Sequence, residues 1–385
     1  MKRIHSIDIA RGLVMIIMAL DHTRDLFGVD AVANNPTNLA TTTPLLFFTR
    51  WITHLCAPSF VFLSGTSAWL SLQKHQDPGA SRRWLFTRGI FLVLLDITLV
   101  NFGVWYDIYF RTIMVQVIAA IGFGFIGLAL LYKLSPKVLG IIGLLIIFLH
   151  DLLGLLPMVS NPILNFAGAQ LFGGGVLKAG NVTFVLGYPI LPWLGIMLAG
   201  FAAGGFFMHP IEVRKKQLRR IGLIALGLFI LIRAANIYGD PAPWHPQKDG
   251  VFTFLSFMNV SKYPPSLLYT LVTLGLLFLF LSWMDEKENA FTRVLTVYGK
   301  VPMFYYLIHW HVIHLGMFAM VFLQGFRADQ LVFGTFQFGK APGSGIGLAG
   351  VYLVWFCIVA SLYPLCKWYG RYKPMHPGKK WLRFL

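Results

Sequence analysis

The stretch RGLVMIIMALDH, Arg11 to His22, sets a cation and an imidazole at the two ends of a run that otherwise reads as membrane-buried helix. Whether the rest of the chain belongs in a membrane decides the fold. Of its 385 residues, 57% are hydrophobic and only 12% charged, and the mean hydropathy is +0.68. That is the balance of a membrane protein. Apolar runs long enough to cross a hydrocarbon core recur at about 7–27, 44–72, 84–105, 113–132, 138–156, 185–207, 221–238, 265–284, 301–324 and 346–366. The fold expected is therefore an all-α polytopic bundle of about ten transmembrane helices, a single domain over 1–385 that ends in a basic tail from about 367.

A formal charge of +17 would suggest nucleic acid in a soluble chain. Here the basic residues sort by side instead. With the N-terminus inside, the inner segments, from Lys2 and Arg3 through Lys74 and Arg214–Arg220 to Lys380 and Arg383, hold about three times as many Lys and Arg as the outer ones. This bias predicts both termini cytoplasmic and leaves the lipid bilayer, not nucleic acid, as the partner of the charge. The opening MKRIHSIDIARGLVMIIMALDH mimics a signal peptide, but no small-x-small cleavage site follows, so it is expected to stay as the first helix. Cys56, Cys357 and Cys366 are scattered and suggest neither disulfide nor metal. Three longer outer segments, about 157–184, 239–264 and 325–345, are rich in Gly, Pro and Asn and read as loops. No internal repeat is visible, which weighs against an inverted-repeat transporter, and Gly200 and Gly204 signal close helix packing.

Eleven residues at about 100° each bring Arg11 and His22 to within roughly 20° of one helix face, about 16 Å apart along it. Met15 and Met18 share the stripe, Asp25 lies one turn beyond the histidine, and Asp8 is within reach of Arg11. An ionisable group at the centre of a span costs about 2.5–3.5 kcal/mol on insertion scales, and such a group facing the bundle interior marks a functional site. The structural alternative is that Arg11 snorkels and pairs with Asp8 while His22 makes a core hydrogen bond. Asp96, well inside the third span, needs a polar partner, for which Arg88 is poorly placed. His54 precedes Pro58, which frees a backbone carbonyl, and is expected to line the cavity or to hold a structural hydrogen bond. Arg50 is expected to snorkel at the outer interface.

In HWHVIH, His311 and His314 project about 60° apart while His309 points away, so a three-histidine metal site is not expected. One of His309 and His314 is read as lining the pocket and the other as packed. GFGFIG, Gly122 to Gly127, matches a dinucleotide fingerprint as text but falls inside an expected span, where no preceding strand is expected, so that reading is rejected. The Asn181-Val182-Thr183 sequon matters only in a glycosylating pathway, and Trp244 and His245 read as part of an outer cap. The run RKKQLRR, Arg214 to Arg220, is read chiefly as a membrane anchor and secondarily as a draw for anionic phosphates.

SIDIARGLVMIIMALDH resembles the first-helix signature of the transmembrane acyltransferase superfamily, an arginine and a histidine with ten residues between them. THLCAPSFVFLSGTSAWL (53–70), YPILPWLGIMLAG (188–200), YPPSLLYTLVTLG (263–275) and YGKVPMFYYLIHWHVIH (298–314) extend the resemblance to the family of the heparan-alpha-glucosaminide N-acetyltransferase catalytic domain. The resemblance implies a membrane-embedded acyltransferase that moves an acyl, chiefly acetyl, group from cytoplasmic acetyl-CoA or another acyl-CoA to a sugar or glycan acceptor on the far side. No metal is implied, and the expected home is a bacterial inner membrane. On this reading Arg11 and Asp8 hold the acyl-CoA, His22 is the base or acyl carrier with Asp25 or Asp21 orienting it, Asp96 is a third catalytic candidate, and His54, His309 and His314 line the substrate pocket. One departure stands out. The family's catalytic histidine lies in the loop after the first span, whereas GVDAVANNPTNLATTT (28–43) contains none, so the role passes to His22. The competing function class is a secondary transporter using Arg, His and Asp as a proton relay; a non-catalytic membrane scaffold is the third.

Overall fold

The computed structural model describes residues 4–73, 77–155, 161–379 and 382. Lys2, Arg3, Lys74, Lys380 and Arg383 of the charge count, and the start of the 157–184 segment, lie outside the described residues. Ten principal helices follow the expected spans: α1 His5–Phe27, α2 Pro44–Leu72, α3 Pro78–Trp105, α4 Val117–Leu130, α5 Pro136–Leu153, α6 Ile190–Met208, α7 Ile211–Ala235, α8 Leu267–Met284, α9 Pro302–Leu323 and α10 Leu348–Met375. Seven of these, α2, α3, α5, α6, α8, α9 and α10, are both long and apolar enough to cross a membrane. Helix α4 is apolar but has only 14 residues. Helices α1 and α7 are long enough but carry charges along their length.

The charges of α1 are tolerated because of where the helix sits. It packs against α2, α8, α9, α10 and the short helix Ala290–Gly299, and most of its side chains are buried. Its polar groups thus meet protein rather than lipid, where each would otherwise lack a partner. One glycine contact sets the closest approach. A Cβ at Gly12 would collide with the backbone carbonyl of Leu295, and one at Gly299 with that of Asp8, so α1 and Ala290–Gly299 cross backbone to backbone. This crossing places Lys300, the next residue, beside the N-terminal end of α1. Gly200 plays the same part between α6 and α2, where a Cβ would meet the Phe62 carbonyl.

Arg11 near the start of α1 and Lys373 near the end of α10 line one cavity, so the first helix begins and the last helix ends at the same end of the bundle. At the opposite end Gly28, just past α1, bridges to Ile346, just before α10.

Three features correct the sequence reading. The fold is not purely helical: β1 (Thr112–Val115) pairs parallel to β3 (Val182–Leu186), which pairs antiparallel to β2 (Gly175–Ala179). The first residues of the expected 113–132 span are therefore strand. The Asn101 side-chain amide donates to Met114 O at 2.8 Å and accepts from Met114 N at 2.7 Å, imitating a neighbouring strand. Second, RKKQLRR lies inside α7, where Arg214 pairs with Asp285 at 2.6 Å and Lys215 with Glu286 at 3.1 Å. Third, the helix of the last span runs past its expected end at 366, to Met375.

Candidate active site

The two ends of α1 hold the candidate site. At its N-terminal end Arg11 crosses to α2, donating to Leu63 O at 3.1 Å and to Ser67 Oγ. It lines a cavity of about 330 Å³ whose other cations are Arg88 of α3, Lys300 and Lys373. Among the described residues no carboxylate lines this cavity. Met15, Phe60, Tyr306 and other largely apolar side chains form the rest of its wall. Several cations gathered around one concavity favour a multiply charged anion, and the apolar part of the wall suits an uncharged extension of it.

Tyr306 carries the path onward, because one helical turn later α9 presents His309, fully buried. His309 Nδ1 faces the carbonyl oxygens of Tyr305 and Tyr306 in its own helix. A carbonyl only accepts, so this nitrogen carries the proton and the neutral ring offers Nε2 as an acceptor. His22 Nδ1 stands 2.8 Å from that Nε2 and must be the donor. The network assigns the tautomer of His22: proton on Nδ1, lone pair on Nε2. Trp310 stacks on the His22 ring at 3.9 Å between centroids and 19° between planes, holding its orientation. His22 itself remains half-buried.

Around the histidine the other α1 charges are neutralised pairwise. Arg24 bonds Asp21 at 3.1 Å and Asp25 at 2.6 Å, and also donates to the carbonyls of Val32 and Ala33. Arg50 bonds the other Asp21 oxygen at 2.8 Å and Thr53 at 2.7 Å. Two expectations change here. Asp25 is held by Arg24, and His309 occupies the His22 Nδ1 position expected for a carboxylate. Arg50 does not snorkel; it is pinned inward by Asp21.

The remaining candidates are dispersed. Asp96, fully buried, accepts from the Gln116 backbone N–H at 2.9 Å and so caps the start of α4. His54 is buried, and the carbonyl freed by Pro58 is taken by Tyr269 Oη at 2.9 Å. Its ring does not line the Arg11 cavity. His314 Nε2 donates to Phe338 O at 3.0 Å and its ring stacks on Tyr106, while His311 Nδ1 lies 2.9 Å from Tyr106 Oη. The three α9 histidines thus serve three different neighbours. Among the described residues no cluster of three or more His, Cys, Asp or Glu is placed to hold a metal ion. Asp8 is buried, with its backbone against Gly299.

Residues 3–235 match the family described as heparan-alpha-glucosaminide N-acetyltransferase, catalytic. The chain belongs to that family. No curated protein matches it. Family membership and the apolar helices together make it an integral, multi-pass membrane acyltransferase. The matched part of this N-acetyltransferase-family chain contains Arg11, His22, Arg88 and Asp96, but stops before Lys300, Tyr306, His309, Trp310 and Lys373. Half of the site therefore comes from the C-terminal helices. The sequence reading missed the cations among these, because Lys300 and Lys373 look like ordinary membrane-edge lysines; the signal available was Lys300 directly after a glycine in YGKVP.

Proposed function

We propose that this protein transfers an acetyl group from acetyl-CoA, entering at the Arg11 end, to a hydroxyl or amine of a sugar or glycan at the opposite end. The observation that carries the reading is the arrangement along α1: a cavity lined by four cations at Arg11 and, about 16 Å further along the helix, a histidine whose Nε2 lone pair is set by His309. Arg11, with Arg88, Lys300 and Lys373, neutralises the donor phosphates. The apolar part of the wall receives the thioester arm.

His22 Nε2 takes the proton from the acceptor N–H or O–H as that heteroatom attacks the thioester carbonyl. The C–S bond breaks, and the CoA sulfur leaves and recovers the proton from His22. When His22 is protonated, His309 Nε2 accepts from it and spreads the charge toward the Tyr305 and Tyr306 carbonyls. His309 is a positioning residue: it touches neither partner but decides which nitrogen of His22 is basic. Gln cannot repeat this at position 22, since its amide has no lone pair of matching basicity.

The Arg11 end is the cytoplasmic one, all ten principal helices cross the bilayer, and both termini are inside, as the lysine and arginine bias requires. Short α4 spans with the help of β1, whose backbone is satisfied by β3 and Asn101. A cysteine at 215 should then be labelled from the inner side alone and one at 174 from the outer side alone.

The deciding measurement is release of CoA from acetyl-CoA by purified protein, with and without sugar amines and alcohols. Acceptor-dependent release supports the transferase. CoA-independent solute uptake by proteoliposomes, with no release, would replace it by a transporter.

A further inference from the structure

Trp310 holds the His22 ring through the face of its indole, which leaves the indole N–H to be accounted for. The residue is 5% exposed and its Nε1 is buried, yet among the described residues no acceptor completes a hydrogen bond to it. Other indoles of the protein are satisfied: Trp51 donates to Met258 O at 2.8 Å, Trp105 to Asn101 Oδ1 at 3.3 Å and Trp355 to Ile16 O at 2.8 Å. Trp193 shares the condition of Trp310, but its ring packs on Tyr188 rather than on the base. A buried donor left open costs stability, and one kept beside a base has a use where an acceptor forms during the reaction.

The position of this donor matches the chemistry. Tyr306, His309 and Trp310 are spaced i, i+3 and i+4 and share one face of α9. Tyr306 lines the donor cavity, His309 sets the His22 tautomer and Trp310 covers the His22 ring. Trp310 Nε1–H is directed at the Tyr306 hydroxyl without the two closing a hydrogen bond. A gap between two donors is a place for an oxygen that both can reach. Stacking also sets the layer. An acceptor heteroatom that gives its proton to His22 Nε2 lies in the imidazole plane, whereas the carbonyl carbon it attacks lies off that plane. The indole lies off the same plane, with ring centroids 3.9 Å apart.

We propose that Trp310 Nε1–H and the Tyr306 hydroxyl form an oxyanion hole for the acyl transfer. When the acceptor heteroatom bonds to the thioester carbonyl carbon, the carbonyl π pair moves onto oxygen, and the two donors hold the resulting oxyanion. As the carbonyl re-forms, the C–S bond breaks and the CoA sulfur leaves, with the proton carried by His22 as above. Trp310 is then a catalytic residue that touches a reacting atom, besides orienting the base. The inference rests on the acetyl-transfer reading above and adds what His22 does not supply, a donor for the negative charge that develops on the carbonyl oxygen.

The test uses the full-length protein in detergent with two acyl-CoA substrates: acetyl-CoA and its dithioester, in which sulfur replaces the carbonyl oxygen and accepts hydrogen bonds only weakly. With acetyl-CoA, Trp310→Phe, which keeps a ring on His22 and removes the N–H, should lower kcat about 10²–10³-fold, the effect of losing one oxyanion donor, while KM and CoA affinity stay within a few-fold. With the dithioester, the parent and Trp310→Phe should turn over at similar rates, because the N–H has little to hold. Equal losses with both substrates would mean that the indole only packs the base in place, and would overturn the oxyanion hole. Unchanged kcat with acetyl-CoA would overturn it as well. Where Trp310→Phe binds no CoA and is not folded, Tyr306→Phe carries the same comparison: a loss confined to acetyl-CoA supports the hole, and any other pattern overturns it. A parent that transfers from neither substrate overturns the transferase reading itself, whereas a failure confined to the variants leaves that reading standing.

Discussion

The two ends of α1 treat charge in opposite ways. Around His22, four ionised groups, Asp21, Arg24, Asp25 and Arg50, bond to one another within 2.6–3.1 Å. Around Arg11, the cations Arg88, Lys300 and Lys373 come from three other parts of the chain to line one hollow. Paired charges buried in protein fix geometry, since each holds the other at the correct place. Cations gathered around a concavity instead give it a field that attracts an anion. On the proposed reading the first end positions a base and the second receives the donor.

The comparison breaks most visibly at the base. His22→Gln should lower acetyl transfer by about 10²–10⁴-fold while CoA binding stays within a few-fold, as read by single-turnover transfer beside direct binding. Near-parent turnover would remove His22 from the chemistry, and the buried ring of His54 would become the next residue to test. His309→Gln should give a smaller loss in kcat with KM little changed, and a shifted pH profile, because it alters the basicity of His22 rather than the reacting atoms.

The matched network comes next. Arg24→Ala strands one oxygen of the buried Asp21 and takes the guanidinium from the partly exposed Asp25, and breaking a buried pair such as Arg24–Asp21 costs about 3–5 kcal/mol. The melting temperature in detergent should fall clearly below that of the parent. A variant as stable as the parent would show that water reaches these carboxylates and that the network does not hold the helix.

The Arg11 end should show the smallest effect, and in a different observable. Arg11→Ala should weaken CoA binding by roughly 10–100-fold, the value of a charge-assisted contact, while the protein stays folded in detergent. Lys215→Ala is its control: that lysine is already matched by Glu286, and an exposed pair is worth about 0–1 kcal/mol, so CoA affinity should hold. Equal losses from both substitutions would reduce the cavity to general surface charge.

Much of this was legible in the residues alone. The membrane class, the placing of nearly every helix and the shared face of Arg11 and His22 follow from apolar run length and the 3.6-residue period, which depend only on neighbours along the chain. The carbonyl freed by Pro58 was likewise a local matter, though its acceptor role for Tyr269 was not. Strand β1 escaped notice because its partners lie elsewhere: Asn101 some dozen residues back and β3 some seventy ahead. An apolar run of that length carries the same pattern whether it continues as helix or enters as strand.

What α1 contributes was therefore determined by its own sequence: one helix with a cation, a histidine and their spacing. Only the tertiary structure decided what those groups meet. It set His309 rather than Asp25 against His22, since a histidine nearly three hundred residues away has no local signature. It turned Lys300 and Lys373 from anchors into cavity walls through the glycine crossing of α1 with Ala290–Gly299 and the return of α10. The physical reason is range. Periodicity and capping act within a turn or two of helix, whereas the pairing of charges and the tautomer of a buried imidazole depend on which distant side chain packing brings within 3 Å.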